Sequence, residues 1–160
     1  MKEIVESPNA PPPIGPYSQA VADAGLLFMS GQVGRQHNVA TLEPGVAEQT
    51  RQAIRNLQAV LAERGLALAD VVKTTVFLLD MDDFGAMNAV YIEMFGEDAA
   101  PARSTIGVAR LPLDALVEID EGVPLDAVHP PFFTSILHSR AGRGARVGGP
   151  HRDARRSRVG

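Results

Sequence analysis

Cysteine is absent from this sequence of 160 residues, tryptophan is absent too, and histidine is scarce. Without cysteine the chain can form no disulfide, no thiolate nucleophile and no cysteine-ligated metal site. His37 is the only histidine in the first 120 residues, and it lies in a polar stretch. The composition therefore argues against a thiol enzyme, a zinc site and a histidine-based triad, and we expect neither a metal nor a cofactor.

Long apolar runs and phosphate-binding motifs are also missing. No stretch approaches the roughly 18 apolar residues that a membrane helix needs, and no charged and then apolar leader opens the chain. We therefore expect no membrane association and a cytoplasmic protein. Neither the GxGxxG nor the GxxxxGK[ST] spacing occurs, which argues against nucleotide binding through such a loop.

Basic residues are few until the chain approaches its end. Residues 1–120 contain 8 Lys and Arg against 16 Asp and Glu, whereas residues 121–160 contain 7 Arg against three acids. This division predicts one acidic domain over 1–120 and an atypical Arg/Gly/Pro-rich tail over 121–160. The acidic domain argues against nucleic acid as a partner, because phosphate binding needs clustered cations.

Two interpretations of the tail compete. One is a disordered basic segment that binds acidic partners or RNA. The other is a frame-shifted or read-through end, because a GC-rich coding sequence read in that way encodes many Arg, Gly, Pro and Ala residues. We favour the second because the composition changes abruptly, and it implies that the last strand loses its usual end.

The spacing of apolar residues predicts an α+β fold. Two apolar runs around residues 23–25 predict a β-hairpin, and an apolar stripe from Val46 predicts a helix that Gly65 ends. A second helix is predicted over about 82–95, capped by Asp80 or Asp82. With five or six strands, this order predicts one sheet with two helices on one face. The other face then needs cover from the N-terminal segment or from partner subunits.

Three polar residues stand in apolar surroundings. Arg103 opens a segment that we expect to be a strand entering the core, so its guanidinium should meet an anion, either a ligand or an acid of the protein itself. Glu118 interrupts the apolar "LVEI", where it faces solvent or orients a water molecule. Asn88 falls within the apolar stripe of the second helix, which also contains Phe84 and Tyr91, and must find a hydrogen-bond partner there.

Six segments of the sequence resemble one known family in order and spacing. These are "IGPYSQA", "FMSGQVG", "QTRQAIRNLQAVLAERG", "DVVKTTVFLLDMDDFGAMNAVY", "PARSTIGVARLP" and "LVEI". Together they resemble the Rid family of reactive-intermediate (imine/enamine) deaminases, also called the YjgF family, over about Ile4 to Ile119. No single segment is decisive, but six in sequence make a specific pattern.

The resemblance implies a fold, an activity and a set of site residues. It implies a chorismate-mutase-like α+β fold, a homotrimer whose sheets form a central barrel, and active sites between subunits. The implied reaction is cofactor-free hydrolysis of 2-imino acids to 2-oxo acids and ammonia. The implied residues are Arg103 for the substrate carboxylate, Glu118 for the attacking water, Tyr17, Asn88 and Ser30, with backbone groups around Gly31, Ser104 and Thr105 for the nitrogen.

The same resemblance leaves a second function open, and the sequence departs from the family pattern at two places. Some relatives have been assigned ribonuclease or translation-inhibiting roles, so a non-catalytic ligand-sensing or RNA-associated trimer is the alternative. Thr105 stands where the best-characterised branch often has cysteine. Residues 33–37 read Val-Gly-Arg-Gln-His, where that branch usually has an apolar residue, proline and an Asp/Asn-Pro turn. This loop borders the implied cleft, so the resemblance does not fix the substrate preference.

Overall fold

A computed structural model describes residues 1–127, which form six β-strands, two α-helices and the turns and loops between them. The strands are β1 Glu3–Val5, β2 Ala20–Asp23, β3 Leu26–Val33, β4 Lys73–Leu78, β5 Ala102–Gly107 and β6 Val117–Pro124, and the helices are α1 Gly45–Ala62 and α2 Phe84–Phe95. One sheet has the order β1-β2-β3-β6-β4-β5. Only β4 and β5 pair in parallel in this sheet. The predicted α+β fold with two helices is confirmed.

The predicted hairpin is present as β2 and β3. Its two turn residues, Ala24 and Gly25, have φ angles of 50° and 78°. Positive φ at both central positions is the geometry whose twist matches that of a β-hairpin. The glycine makes this turn accessible, and the pairing of Asp23 with Leu26 fixes the register.

Helix α1 packs its predicted apolar stripe onto the sheet. Ala53, Ile54, Leu57, Val60 and Leu61 are all fully buried. The helix ends as the sequence predicts, because Gly65 adopts a positive φ and its amide bonds back to Ala62, while that of Leu66 bonds to Leu61. These bonds satisfy carbonyls that the end of a helix otherwise leaves without partners.

Helix α2 begins after a short 3-10 turn, Met81–Asp83. The side chain of Asp80 accepts a hydrogen bond from the Asp82 amide, as one of the two predicted caps would. Met87, Val90 and Tyr91 are buried. Phe84 was predicted to face inward with them, but it is 37 % exposed, because it opens the helix at the edge of the core.

The two faces of the sheet differ sharply. Both helices cover one face, where Val76, Val117 and Ile119 are fully buried. The opposite face leaves Ile4, Phe28 and Ile106 exposed by 57 %, 55 % and 46 %. We call this second surface the uncovered face. Residues 1–127 leave about half of each of these three side chains exposed.

The N-terminal segment and β5 do not lie where one reading of the sequence put them. Ser7 bonds to Glu63 of the segment after α1, and Ala10 is buried in the core, so this part of the N-terminal segment is fixed beside α1. Residues further along it, among them Pro11 and Tyr17, reach the part of the uncovered face around Glu118 and leave Ile4, Phe28 and Ile106 exposed. Strand β5 was expected to enter the core, but it is an edge strand with no buried residue. Alternation of apolar and small residues cannot distinguish a central strand from an edge strand.

Strand β6 continues past the predicted domain boundary. It runs to Pro124, and a 3-10 turn follows at Leu125–Ala127, so the boundary expected after residue 120 falls inside the strand. The predictions made for the remainder of the tail concern residues 128–160, which lie outside the described part. None of the described helices has the length and apolar character needed to cross a membrane.

Gly34, which follows the end of β3, packs very closely against helix α1. A Cβ atom added there would lie 2.2 Å from the Cα and 2.4 Å from the Cβ of Gln49. The side chain of Asn56 donates to the carbonyls of Val33 and Arg35, at 3.1 and 2.9 Å, so the loop cannot move away without losing both hydrogen bonds.

We expect Gly34→Ala to destabilise the protein by about 3 kcal/mol or more, because the new methyl group meets backbone atoms that cannot rotate away. Gly85→Ala is the matched control, since nothing lies within 4 Å of a Cβ at this helical position and alanine should raise stability by up to about 1 kcal/mol. Urea unfolding of both variants measures the difference. Equal stability of Gly34→Ala and the unmodified protein would contradict the close approach.

Candidate functional site

Arg103 extends from β5 across helix α2. Its Nη2 donates to Asn88 Oδ1 at 2.8 Å, and its Cζ lies 4.4 Å from the centroid of the Tyr91 ring and 5.6 Å from that of Phe84. The hydrogen-bond partner that Asn88 was predicted to need is therefore this guanidinium. No carboxylate of residues 1–127 forms a salt bridge with Arg103. The side chain is held by an amide and two aromatic rings, which leave donors of its planar fork available.

The aromatic ring beneath Arg103 is itself fixed. Tyr91 is only 3 % exposed, its hydroxyl shares a hydrogen bond of 2.7 Å with Thr74 Oγ1, and its ring stacks on Phe95 at 4.4 Å. Burial is the main cause that raises the pKa of Tyr91, so the phenol remains neutral. A rigid neutral ring positions the guanidinium without neutralising its charge.

The backbone beside Arg103 has unused donors. The amides of Ala102 and Val108 both donate toward β4. Because backbone groups alternate along a strand, the amides of Arg103 and Thr105 point to the open edge of the sheet. Thr105 shares the face of Arg103, whereas the Ser104 hydroxyl lies on the uncovered face, where Lys73 Nζ donates to it at 3.2 Å.

A second group of predicted residues lines a cavity of about 300 Å³, which we call the Glu118 cavity. Its wall includes Tyr17, Ser30, Gly31 and Glu118. A Cβ atom at position 31 would lie 1.9 Å from Glu118 Oε1, so the absence of a side chain at Gly31 leaves the space that the carboxylate occupies. Ser30 Oγ donates to the carbonyl of Ser18 at 2.7 Å, and the Tyr17 hydroxyl accepts from the Ile14 amide at 3.3 Å.

Glu118 has the properties of a group that exchanges protons. Its pKa is raised, first by burial and then by the negative charge of Asp120. The residues on either side of it, Val117 and Ile119, are fully buried toward the helices, so Glu118 points to the uncovered face. A half-buried carboxyl whose pKa is raised is a stronger base than an exposed one and is suited to accept and return a proton.

The two groups lie on opposite faces of the same sheet. Arg103 pairs in register with Thr74, which is buried beneath the helices. Glu118 pairs with Phe77, three residues further along β4, and so has the opposite orientation. One copy of the chain therefore gathers Tyr17, Ser30, Gly31 and Glu118 in one place, and Arg103, Asn88 and Thr105 in another.

Comparison with known proteins agrees with this arrangement of motifs. The family model described as Endoribonuclease L-PSP matches residues 7–123. A RutC family protein of Synechocystis is 51 % identical over 120 residues, which cover 74 % of this chain and 92 % of the relative. A protein of Dermatophagoides farinae named 2-iminobutanoate/2-iminopropanoate deaminase is 41 % identical over 126 residues, covering 78 % and 98 %. The chain belongs to the Rid (YjgF) family.

Solved structures of Rid proteins share the fold described above. The crystal structure of Escherichia coli TdcF with bound serine aligns with a TM-score of 0.72 at 37 % identity, over 76 % of this chain and 98 % of that one. The Escherichia coli YjgF gene product aligns with a TM-score of 0.72 at 40 % identity, over 76 % and 98 %. The family resemblance inferred from the six sequence segments is confirmed.

Three residues of the Rid chain near these groups were not predicted as parts of the site. Tyr91 was assigned to the apolar stripe, although it lies three positions after Asn88 and so shares its helix face. Arg35 lines the Glu118 cavity. Glu121 is 4 % exposed, and the described residues offer no hydrogen-bond partner to either of its carboxyl oxygens. Alternation with Ile119 and Val123 was the signal that would have placed Glu121 inside.

Burial of Glu121 makes the stability of this Rid chain depend on pH. Burial, followed by the charge of Asp120, raises the pKa of Glu121 to about 8. The unfolded chain releases this proton near the ordinary value of 4.5, whereas the folded chain keeps it. The unfolded state therefore binds fewer protons between these values, and the contribution of Glu121 to stability falls as pH rises from about 4.5 to about 8.

We expect Glu121→Gln to stabilise the protein relative to the unmodified chain, and to do so by several kcal/mol more at pH 8 than at pH 5, because glutamine has no proton to lose. Denaturant unfolding at both pH values measures the change. Glu97→Gln is the control, since this carboxylate is exposed. The same stability difference at the two pH values would contradict the burial of an isolated carboxyl.

Proposed function

We propose that this chain hydrolyses reactive 2-imino acids, and the enamines with which they interconvert, to 2-oxo acids and ammonia. The observation that carries the proposal is the guanidinium of Arg103. It is fixed by Asn88 and Tyr91, and no acid among residues 1–127 neutralises it. A fixed planar cation with unused donors matches the two oxygens of a small carboxylate.

Binding would place the substrate against the edge of β5. The fork of Arg103 takes the carboxylate through two parallel hydrogen bonds. The Thr105 amide, which points to the same open edge, is placed to bond the neighbouring imine group. This arrangement restricts the substrate before any bond changes, and restriction of that kind accounts for much of the acceleration in sites without a covalent nucleophile.

Glu118 supplies the proton transfers. Its carboxylate takes a proton from water as the water oxygen bonds to the imine carbon, and the C=N electron pair moves to the nitrogen, which receives that same proton from Glu118. The resulting carbinolamine loses its hydroxyl proton as the carbon–nitrogen bond breaks. Ammonia leaves with the electron pair and a proton, and the carbonyl of the 2-oxo acid forms. A raised pKa makes the Glu118 carboxylate a stronger base than an exposed one, which favours acceptance of the proton from water.

Each complete site would require two copies of the chain. Arg103 and Glu118 lie on opposite faces of one sheet, so they meet only if the edge of one copy approaches the Glu118 cavity of another. The uncovered face exposes Ile4, Phe28 and Ile106, and apolar surface of this kind favours burial between subunits. We infer a homotrimer with its sites between subunits, in agreement with the family resemblance.

The named functions of two relatives support the same chemistry. The mite relative is named as a deaminase of 2-iminobutanoate and 2-iminopropanoate, and TdcF was crystallised with serine, a small amino acid. All three compounds carry the carboxylate that Arg103 would bind. The RNA-associated alternative gains no support from the described part, which contains 8 Lys and Arg and 18 Asp and Glu, because phosphate binding needs an excess of clustered cations.

A coupled assay tests the proposal. A serine or threonine dehydratase generates the imine in the presence of semicarbazide, which traps it, and 2-oxo acid formation is followed with and without the full chain. We expect the chain to lower the trapped fraction and raise 2-oxo acid formation. An unchanged trapped fraction would contradict imine hydrolysis. Single-stranded RNA incubated with the same preparation should remain intact.

A further inference from the structure

Arg35 is a second cation beside the proposed chemistry, and it lines the Glu118 cavity. Its Nη2 lies 3.5 Å from the Pro12 carbonyl oxygen, which is long for a hydrogen bond. Its Nε is buried, and the described part of the chain provides it with no hydrogen-bond partner. No carboxylate within that part forms a salt bridge with it, including Glu118 of the same cavity.

The backbone that carries Arg35 is rigid. Asn56, which is 1 % exposed, donates its amide hydrogens to the carbonyls of Val33 and Arg35, and its own oxygen accepts from Gln52. Gly34 lies directly against Gln49, so the chain cannot shift toward the helix. The root of the Arg35 side chain is therefore fixed, which reduces the entropy lost when the guanidinium binds a ligand.

The surroundings of Arg35 favour an anion. Much of the cavity wall is apolar, with Pro11, Ile14, Val33 and Leu113 around it. A guanidinium partly withdrawn from water, whose Nε has lost its hydrogen bond, is stabilised by a carboxylate that restores it. An apolar side chain would leave that donor without a partner, and a neutral polar one would leave the positive charge without a counterion.

We propose that Arg35 binds a second carboxylate, at the end of the substrate side chain, so that this chain prefers 2-imino acids with a dicarboxylate skeleton. The inference rests on the proposed function, because it takes the Glu118 cavity as the place where the substrate lies. Arg103 binds the carboxylate next to the reacting carbon, and Arg35 binds the distal one. The reaction that supplies the substrate must then produce an imine from an acidic amino acid.

Matched ligands isolate the distal carboxylate. 2-Oxopentanedioate and 2-oxopentanoate have the same chain length and differ only in the terminal group. We expect calorimetry to show that the full chain binds the diacid on the order of tenfold more tightly, because a hydrogen bond between charged groups contributes that much. Arg35→Gln should remove this preference, and Arg35→Lys should retain part of it because lysine keeps the charge.

The controls separate this inference from a general charge effect. Arg55→Gln removes one positive charge from an exposed position on α1 and should leave the preference unchanged. Urea unfolding establishes that each Arg35 variant is folded, and Arg35→Lys serves if Arg35→Gln is not. Equal binding of the two acids by the unmodified chain, or a preference that survives in Arg35→Gln, would overturn the role of Arg35.

Turnover distinguishes this inference from the proposed function. The imines of the same two skeletons are generated by an amino acid oxidase, and the ratio of their hydrolysis rates is measured. Arg35→Gln should lower the diacid-to-monoacid ratio on the order of tenfold. If the unmodified chain hydrolyses both imines equally, the inference fails while the proposed function stands. If it hydrolyses neither, the proposed function fails whatever the binding preference.

Discussion

Arg103→Ala is expected to lower kcat/KM for imine hydrolysis by about a hundredfold or more, because the variant loses two charge-assisted hydrogen bonds to the substrate carboxylate. The fold should survive, since Arg103 is a half-buried residue on an edge strand and forms no salt bridge within residues 1–127. The coupled semicarbazide assay measures the activity. Circular dichroism of the same preparation establishes that the protein is folded.

Two further variants sharpen the expectation for Arg103. Arg103→Lys keeps the positive charge but not the planar fork, so it should recover only part of the activity. Arg110→Ala removes an arginine whose side chain is 87 % exposed, and it should leave hydrolysis unchanged. Full activity in Arg103→Ala would remove the guanidinium from the mechanism.

Glu118→Gln is expected to lower kcat by about a hundredfold or more, with a smaller change in KM, because an amide can hold a water molecule but cannot take its proton. Steady-state kinetics with an imine generated at controlled concentration separates the two constants. A higher KM with an unchanged kcat would indicate that Glu118 binds substrate and does not transfer protons.

The pH profile provides the companion measurement for Glu118. The negative charge of Asp120 contributes to the raised pKa of Glu118. Replacing it by asparagine lowers that pKa, so the acidic limb of the kcat/KM profile should move to lower pH in Asp120→Asn. The Asn side chain still offers an oxygen to the Thr75 amide, which bonds Asp120 Oδ1 at 3.1 Å. An acidic limb that stays in place would assign it to another group.

Local patterns were sufficient to predict the elements of the fold. Helical spacing of apolar residues predicted α1, and the Ala24-Gly25 turn predicted the hairpin, because both depend on neighbours in sequence. The same reasoning predicted that Asn88 needs a hydrogen-bond partner within the apolar stripe, but it did not identify Arg103 as that partner. These predictions depend on residues that are close to one another in the sequence, so the local pattern is sufficient to make them.

Features that depend on distant parts of the chain were harder to predict. The exposure of β5 follows from its place at the edge of the sheet, which its own residues do not encode. The position of Arg35 depends on Asn56, which lies 21 residues away in sequence, and on the close approach of Gly34 to Gln49. The separation of Arg103 from Glu118 follows from the register of β5, β4 and β6, and no local pattern contains it.

Mixing two inactive variants tests the central claim that Arg103 and Glu118 act together across two copies. Arg103→Ala and Glu118→Gln are produced separately, combined in equal amounts in denaturant and refolded together. Random assembly of trimers would pair an intact Arg103 with an intact Glu118 in roughly a quarter of the sites. Imine hydrolysis should then return to about that fraction of the unmodified activity, when each variant refolded alone remains inactive. No recovery in the mixture would contradict a site shared between copies.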